Sequence, residues 1–328
     1  MSSHDASGDS VRAFITGGSG FVGQWLARAL LKRGSSVTSF GLHAPSTVVL
    51  TPNEREGVQW VPGDIRAVES LQRALAAAKP DVIFHLAGVT FVPEARDAPV
   101  MAFDVNVLGA VRLLSEVSRL RAAGEMDPII LVVGSATQYG RHAAAEMPLT
   151  EEAEQRPNDV YAASKAAQEI AVRQVQRSEG VKVICTRSFN HSGAGHPPHF
   201  LLPALVQRAV ALRGAPQPEL RLGNQDSIRD YLHVADVVEA YLLLARDGVP
   251  GEVYNVCSGG GVSARELAAE VLLRVGTTAE ITTDPALVRG VDVPVLVGSP
   301  AKLQRATGWR PTRTRADIID DLIHAATR

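Results

Sequence analysis

The chain has 328 residues, of which 45% are hydrophobic and 21% are charged, the usual balance of a globular protein. Its 33 lysines and arginines nearly match its 35 aspartates and glutamates, so no overall field would gather nucleic acid or a membrane surface. Two cysteines exclude a disulfide scaffold and a cysteine-rich metal site. No apolar stretch is long enough for a membrane span, and residues 1–10 have the composition of a disordered tail rather than a signal peptide. We therefore expect a cytoplasmic protein.

From about residue 11, short apolar segments alternate with amphipathic ones. Such alternation is typical of a parallel sheet with helices on both faces, and right-handed crossovers make it doubly wound. Strands are predicted over 11–17, 35–41, 58–64, 81–88, 128–135 and 181–190, and helices over 24–34, 69–80, 100–124 and 159–180.

After about residue 190 this alternation gives way to loops rich in proline and glycine. Helices are predicted over 200–214, 263–276 and 316–327, with a strand over 251–257. The sequence therefore predicts an α/β protein with two domains. A Rossmann-type domain covers 11–190 and also uses parts of 225–256, and a smaller, interleaved α/β domain covers 191–328.

The segment TGGSGFVG, residues 16–23, joins the first predicted strand to the first helix. Its glycines, Gly17, Gly20 and Gly23, permit a tight turn, a close approach of backbone to pyrophosphate, and close packing of helix on strand. The helix N-terminus offers free N–H groups to phosphate. A glycine-rich turn in this context predicts a dinucleotide site.

The choice of cofactor is normally read at the end of the second strand, where an acidic residue holds a ribose hydroxyl of NAD. Gly41, Leu42 and His43 stand there, with neither an acid nor an arginine for a 2′-phosphate. The sequence slightly favours NADPH and leaves NADH open. Asp64, after the third strand, either accepts from the adenine amino group or caps a turn.

Tyr161 and Lys165 are four residues apart in a predicted helix, so they share one face. The lysine is predicted to lower the pKa of the phenol, which can then pass a proton to or from a substrate oxygen. Ser135 ends the fifth strand, at the sheet edge where ligands bind, and is placed to hydrogen-bond a substrate oxygen.

Taken in order, these motifs resemble the extended short-chain dehydrogenase/reductase family, the group of nucleotide-sugar epimerases, dehydratases and reductases. The similarity covers residues 11–328 and rests on TGGSGFVG, FHLAG, the helix bearing Asn106, GSATQYG, YAASK and RDYLHVADV. Four further segments are similar to GDP-4-dehydro-6-deoxy-mannose reductases, which make GDP-rhamnose: SFNHSGAG, GEVYNVCSGGG, DVPVLVGSPAKL and TGWRP.

The resemblance implies that Ser135, Tyr161 and Lys165 are the catalytic triad. It implies that a reduced nicotinamide delivers hydride to sugar C4 while Tyr161 supplies the proton. It also implies that 191–328 binds the sugar nucleotide, and that helices over 101–124 and 160–178 form a homodimer. The implied cofactor residues are Gly17, Gly20, Phe21, Val22, Gly23, Asp64, Ile65, Leu86, Ala87, Gly88, Asn106, Tyr161 and Lys165, and the implied substrate residues are Thr137, Asn190, Arg229 and Arg289.

Thr137 separates the reactions within this group, since a 4,6-dehydratase carries a carboxylate at that position to remove the C5 proton. Dehydration is therefore not expected. Several reductases also carry an acid there, and a threonine resembles the 4-epimerases; Gly290 departs from a proline that relatives tend to have. Two alternatives to a 4-reductase stay open: a 4-epimerase that retains NAD, and a non-catalytic NAD(P)-binding regulator.

His191, His196 and His199 lie in a short loop that invites a zinc hypothesis. No acid or cysteine completes a ligand set, so a mobile loop over the substrate is the better interpretation and no metal is predicted.

Overall fold

The structure is a computed structural model that describes residues 10–44, 49–288 and 293–327. Its main sheet has seven parallel strands: β1 (Arg12–Thr16), β2 (Ser36–Gly41), β3 (Val58–Pro62), β4 (Val82–His85), β5 (Ile129–Ser135), β6 (Lys182–Ser188) and β10 (Val253–Val256). Across the sheet they lie in the order β3-β2-β1-β4-β5-β6-β10.

The strand order reverses between β1 and β4, which lie side by side although β2 and β3 come between them in the chain. In open sheets of this kind a crevice for ligands forms at the carboxyl ends of the strands beside such a reversal. This architecture confirms the predicted Rossmann-type fold.

Helices cover both faces of the main sheet, and α8, α10 and α12 belong to the C-terminal part. In chain order the helices are α1 (Phe21–Lys32), α2 (Pro52–Glu56), α3 (Val68–Ala78), α4 (Val92–Asp97), α5 (Pro99–Phe103), α6 (Gly109–Ala122), α7 (Val160–Glu179), α8 (Leu201–Ala211), α9 (Val234–Asp247), α10 (Ala264–Val275), α11 (Ala301–Thr307) and α12 (Arg315–Ala326). No helix in the described ranges is long and apolar enough to cross a membrane.

Two separate cores lie on the two faces of the main sheet because successive strand residues point to opposite sides. Phe84 packs with Leu26 of α1 and Val237 of α9 on one face. Its neighbour Ile83 packs with Leu113 of α6 on the other face. Strands buried on both sides explain the continuous apolar runs in the sequence.

The C-terminal part has its own core between α8, α10 and α12. Two small sheets accompany it. They contain β7 (Asn190–Ser192), β9 (Ile228–His233), β11 (Gly261–Ser263) and β13 (Val295–Leu296) in one, and β8 (Glu219–Leu222) and β12 (Glu280–Thr283) in the other. Because β10 pairs with β6 in the main sheet, the two parts interleave along the chain.

The structure corrects several predicted elements. The single helix expected over 100–124 is α5, a π-helical turn at Asp104–Leu108, and α6. The strand expected over 181–190 ends at Ser188, and β7 begins a new sheet at Asn190. Hydrophobic periodicity did not predict several elements, most of them short or polar. They are α2, α4, α9, α11, β8, β9, β11, β12 and β13, and α9 begins in the RDYLHVADV segment. Of the predicted tail, only Ser10 is described.

Leu113→Ala tests the core beneath α6. Leu113 is fully buried, so the substitution removes packed methyl groups and is expected to lower the free energy of unfolding by about 2–5 kcal/mol. Leu273→Ala on α10, where the leucine is 80% exposed, is the matched control and should change it by less than about 0.5 kcal/mol. Urea unfolding followed by circular dichroism measures both; equal losses would contradict the described core.

Candidate active site

The glycine loop connects β1 to α1 at the edge where the strand order reverses. Gly17 has a φ of 71°, a left-handed conformation that favours glycine. A Cβ on Gly17 would lie 2.8 Å from the backbone nitrogen of Ala87, and one on Gly23 would lie 2.7 Å from the carbonyl oxygen of Gly17. The backbone of the glycine loop therefore packs tightly against itself and against the residues that follow β4.

The N-terminus of α1 opens directly from this loop. Its N-cap residue, Gly20, has no side chain to hydrogen-bond the first helical N–H groups, and the first turn contains no acidic residue. Phe21, Val22 and Gly23 occupy that turn. Free N–H groups at the positive end of a helix attract phosphate, so the loop and helix fit the pyrophosphate of a dinucleotide.

Leu86, Ala87 and Gly88 follow β4 and form the opposite side of this crevice. Thr16 holds the segment in place, since its hydroxyl accepts from the backbone N–H of Ala87 at 3.2 Å. The same hydroxyl bonds Nδ1 of His85 at 2.8 Å. Burial, together with the charge of Lys165, lowers the pKa of His85 to about 3, so the imidazole is neutral.

Asn106 lies in the π-helical turn and is fully buried. Its side chain brackets Val89, accepting from the Val89 N–H at 2.8 Å and donating to the Val89 carbonyl at 3.1 Å. It also donates to the hydroxyl of Ser164 on α7 at 2.8 Å. Asn106 thus joins the crevice to α7, while a Cβ on Gly88 would come within 2.8 Å of its Oδ1.

The far end of the crevice is formed by β2 and β3. Asp64 accepts from the backbone N–H of Arg66 at 2.9 Å and forms a bidentate pair with its guanidinium, which lowers the pKa of the carboxyl. Asp64 therefore has the turn-stabilising role, and its contact with adenine stays a prediction. Ile65 is buried beneath Gly109 at the start of α6.

The three predicted triad residues come together at the carboxyl end of β5. Tyr161 hydrogen-bonds Ser135. The hydroxyls of Ser135 and Thr137 lie 2.9 Å apart. Lys165 donates from Nζ to the carbonyl of Val133 at 2.8 Å, so α7 delivers both Tyr161 and Lys165 to this strand end.

The titration behaviour of this group differs from the prediction. Burial raises the pKa of Tyr161 more than the hydrogen bond with Ser135 lowers it, so the net shift is upward, where the prediction was a fall. The Lys165 ammonium donates to a β5 carbonyl and to Gln168. Burial also lowers the pKa of Lys165 to about 8.

A buried polar network behind the triad was not identified from the sequence. Glu169 and Arg187 form a bidentate pair with distances of 2.7 and 2.9 Å. Gln138 donates to Glu169 at 2.9 Å and accepts from the backbone N–H of Ser135 at 2.7 Å. The available signal was the spacing of Glu169, which is four residues beyond Lys165 on the same helix face.

Two of the predicted substrate residues, Asn190 and Arg229, lie in the small sheet that contains β7 and β9, and a third, Thr137, lies beside Ser135. Asn190 on β7 pairs with Tyr231 on β9, and Arg229 precedes Tyr231 by two residues. Because strand side chains alternate, Asn190 and Arg229 lie on one face of this sheet. Arg229 donates to the carbonyl of Ile228 at 2.8 Å. Arg289 and Gly290 lie outside the described residues.

The histidine loop packs against the cofactor crevice through its rings. His196 stacks on Phe21 at 4.7 Å and on Phe200 at 4.5 Å between ring centroids, and Trp25 of α1 donates to the carbonyl of Ala194 at 3.0 Å. Burial is the main reason that the pKa of His196 falls to about 3. These contacts hold the histidine loop against the glycine loop. Movement of the histidine loop over the substrate stays a prediction.

The histidines of this loop do not gather a metal-ligand set with the residues that the structure describes. There, no group of three or more histidine, cysteine, aspartate or glutamate side chains is arranged to hold a metal ion.

The sequence pattern of the family described as GDP-mannose 4,6 dehydratase matches residues 14–322. The chain belongs to this family of extended short-chain dehydrogenases/reductases. The match spans the glycine loop, the triad and the C-terminal part alike, which confirms the resemblance predicted from the motifs.

Relatives of this chain include both a reductase and an epimerase of nucleotide sugars. GDP-6-deoxy-D-mannose reductase of Pseudomonas aeruginosa is 35% identical over 92% of this chain and 93% of its own length. RMD from Pseudomonas aeruginosa, solved with NADPH, superposes with a TM-score of 0.81 at 33% identity over 97% of this chain and 99% of that one. UDP-glucose 4-epimerase of Thermus thermophilus, solved with NAD, has a TM-score of 0.83 at 29% identity over 96% of this chain and 98% of that one.

Gly23→Ala tests the crowding of the glycine loop. The added methyl group would press on the Gly17 carbonyl, so the loop must open and NADPH affinity is expected to fall by about tenfold or more, or about 1.4 kcal/mol. Gly260→Ala is the control, since the nearest atom to its Cβ is 3.8 Å away. Titration of NADPH fluorescence measures both dissociation constants; unchanged binding by the Gly23 variant would refute the crevice as the pyrophosphate site.

Proposed function

We propose that this protein reduces the C4 ketone of a GDP-4-dehydro-6-deoxy-hexose with NAD(P)H, converting GDP-4-dehydro-6-deoxy-mannose to GDP-rhamnose. The observation that carries the proposal is the convergence of Ser135, Tyr161 and Lys165 beside a dinucleotide crevice. The similarity to a GDP-6-deoxy-D-mannose reductase over nearly the whole chain supports the choice of substrate.

The cofactor, when bound, supplies a hydride to C4. Ser135 donates a hydrogen bond to the C4 oxygen and polarises the carbonyl, while Tyr161 gives that oxygen its proton, so the ketone becomes a secondary alcohol. A phenol with a raised pKa holds its proton until charge develops on the substrate oxygen. The Lys165 ammonium stabilises the phenolate that results.

The substrate is proposed to span the two parts of the chain. Residues 11–190 with β10 hold the cofactor, and 191–328 hold the sugar nucleotide. Asn190 and Arg229, on one face of the small sheet, are proposed to bind the diphosphate together with Arg289, because guanidinium groups match phosphate oxygens in geometry and charge. Thr137 is proposed to contact the sugar, since its hydroxyl lies beside that of Ser135.

NADPH is the slightly favoured reductant, with NADH open. Gly41 ends β2 without a carboxylate that would repel a 2′-phosphate, and a Cβ there would lie 3.7 Å from the hydroxyl of Ser19. NADPH in the related RMD structure supports this preference.

A nucleotide-sugar 4-epimerase with retained NAD is the second candidate. Thr137 favours it, because the position is occupied by a hydroxyl rather than a carboxylate, and an epimerase is among the structural relatives. A non-catalytic regulator is disfavoured, since such a protein has no use for the converging triad.

We also propose a cytoplasmic homodimer. Exposed apolar side chains lie on adjoining segments of the helices that the resemblance assigns to a dimer bundle: Phe103, Leu108 and Ile170. Both cysteines are buried free thiols, in keeping with a reducing compartment. Fractionation of the native host tests the location.

Purified protein offered GDP-, dTDP- and UDP-4-dehydro-6-deoxy sugars tests the function. Oxidation of NADPH or NADH that requires the GDP sugar, with GDP-rhamnose identified by NMR, is expected. Tyr161→Phe should reduce kcat by about 10²–10⁴-fold because the proton donor is lost, while the protein still binds the cofactor. Near-normal turnover by Tyr161→Phe would falsify the mechanism, and tightly held NAD with C4 epimerisation would favour the second candidate.

Ile170→Glu tests the dimer. A carboxylate placed on the apolar face is expected to shift the sedimentation coefficient from that of a dimer to that of a monomer, because a buried unpaired charge opposes association. Leu273→Glu, at an 80% exposed position of α10, is the control and should stay dimeric. Analytical ultracentrifugation distinguishes the states, and a dimer retained by Ile170→Glu argues against this face.

A further inference from the structure

Lys165 has a second hydrogen-bond acceptor besides the backbone of β5. Oε1 of Gln168 accepts from the Lys165 ammonium at 3.0 Å. An ammonium has three donors and no acceptor, so the amide must present its oxygen and not its nitrogen. Gln168 follows Lys165 by three residues on α7, which places both side chains on the buried face of the helix.

This arrangement leaves the amide nitrogen of Gln168 buried without a hydrogen-bond partner in the described part of the chain. Its side chain is 1% exposed, and its Nε2 has no hydrogen-bond partner among the described residues. A buried amide with an unpartnered donor is unfavourable for folding, and an apolar side chain of similar shape would avoid that cost. The amide oxygen therefore has a role beyond packing α7 against the sheet.

Among the described residues, the titratable groups around Lys165 are neutral or already paired, so the acceptor for its ammonium is a neutral group. Glu169, the nearest acid on α7, is engaged by Arg187, Gln138 and Gln155. From the sheet, His85 on β4 is neutral and Cys185 on β6 is a buried thiol whose pKa is raised by burial. Tyr161, one turn back on α7, is a neutral phenol whose pKa is raised by burial. Among the described residues, the hydrogen-bond acceptors of the ammonium are therefore the Val133 carbonyl and the Gln168 amide.

We propose that Gln168 is a positioning residue whose amide oxygen holds the Lys165 ammonium, in its charged form, at the end of β5 where Tyr161 reacts. The proposal rests on the proposed function for the role of Lys165 in turnover, but the contact itself can be measured without it. An acceptor at this position opposes the effect of burial, which otherwise favours the uncharged amine.

Three substitutions separate this role from a structural one. Gln168→Met keeps the length and removes the acceptor, so burial acts unopposed and the Lys165 titration moves to lower pH. Gln168→Glu places a carboxylate beside the ammonium and moves the titration to higher pH. Gln174→Met makes the same exchange at an exposed position of α7 and should have no effect.

The chain is suited to a direct measurement because it contains only five lysines: Lys32, Lys79, Lys165, Lys182 and Lys302. Protein labelled with ¹³Cε-lysine gives correspondingly few side-chain NMR signals, and Lys165→Arg assigns the relevant one. The Lys165 midpoint in the unsubstituted protein is expected at a pH of about 8. Loss of a hydrogen bond to a charged group corresponds to a fall of about one pH unit in Gln168→Met.

Turnover provides the second readout. The alkaline limb of the pH profile of kcat/KM is expected to move in the same direction as the NMR midpoint, downward in Gln168→Met and upward in Gln168→Glu. A merely structural role would lower activity at every pH without moving the limb. If Gln168→Met does not fold, Gln168→Glu carries the test through its upward shift.

A Lys165 midpoint equal in the unsubstituted protein and Gln168→Met, or unmoved in Gln168→Glu, would overturn the proposal. Shifts seen by NMR in a protein that reduces no 4-keto sugar would uphold the contact and reject the proposed function instead. Shifted NMR midpoints with an unmoved kinetic limb would overturn the claim that the contact serves Tyr161.

Discussion

The contact between α7 and the carboxyl ends of β5 and β6 is the constraint on which the site depends. Its centre is the buried ion pair of Glu169 and Arg187, each about 4% exposed. Removing one partner of such a pair typically costs about 3–5 kcal/mol because the other charge is left buried. Through Gln138, the pair also fixes the backbone of Ser135, so the energy that holds the helix to the sheet also orients the proposed triad.

The same helix carries Tyr161 and Lys165 to the sheet edge, and its contacts explain their protonation. Burial of Lys165 and partial burial of Tyr161 favour a neutral amine and a neutral phenol alike. A carbonyl of β5 and the amide of Gln168 oppose this effect at Lys165. The result is a proton donor with an ammonium nearby, and the hydroxyl of Thr137 rather than a carboxylate beside Ser135, which suits reduction of a ketone better than removal of a C5 proton.

On the cofactor side of the site, close backbone packing rather than charge determines which residues fit. Gly17 and Gly23 lie where a Cβ would collide with Ala87 or with the loop itself, and Asn106 draws the end of β4 toward α7. Stacking of His196 on Phe21 then brings the histidine loop onto this turn. The interleaved C-terminal part therefore touches the dinucleotide crevice directly.

The sequence by itself determined the fold class and the family, and it supplied the residues of the proposed site. Hydrophobic periodicity and glycine spacing are local signals, and a strand buried on both faces shows itself in any window. Tertiary structure alone decided which polar groups meet. Burial and residues distant in the chain decide four features of the site. They are the π-helical turn at Asn106, the partners of Glu169, the role of Asp64 in a turn, and the pKa directions of Tyr161 and Lys165. Those contacts carry no local sequence signal, because desolvation belongs to the packed environment and not to the residue.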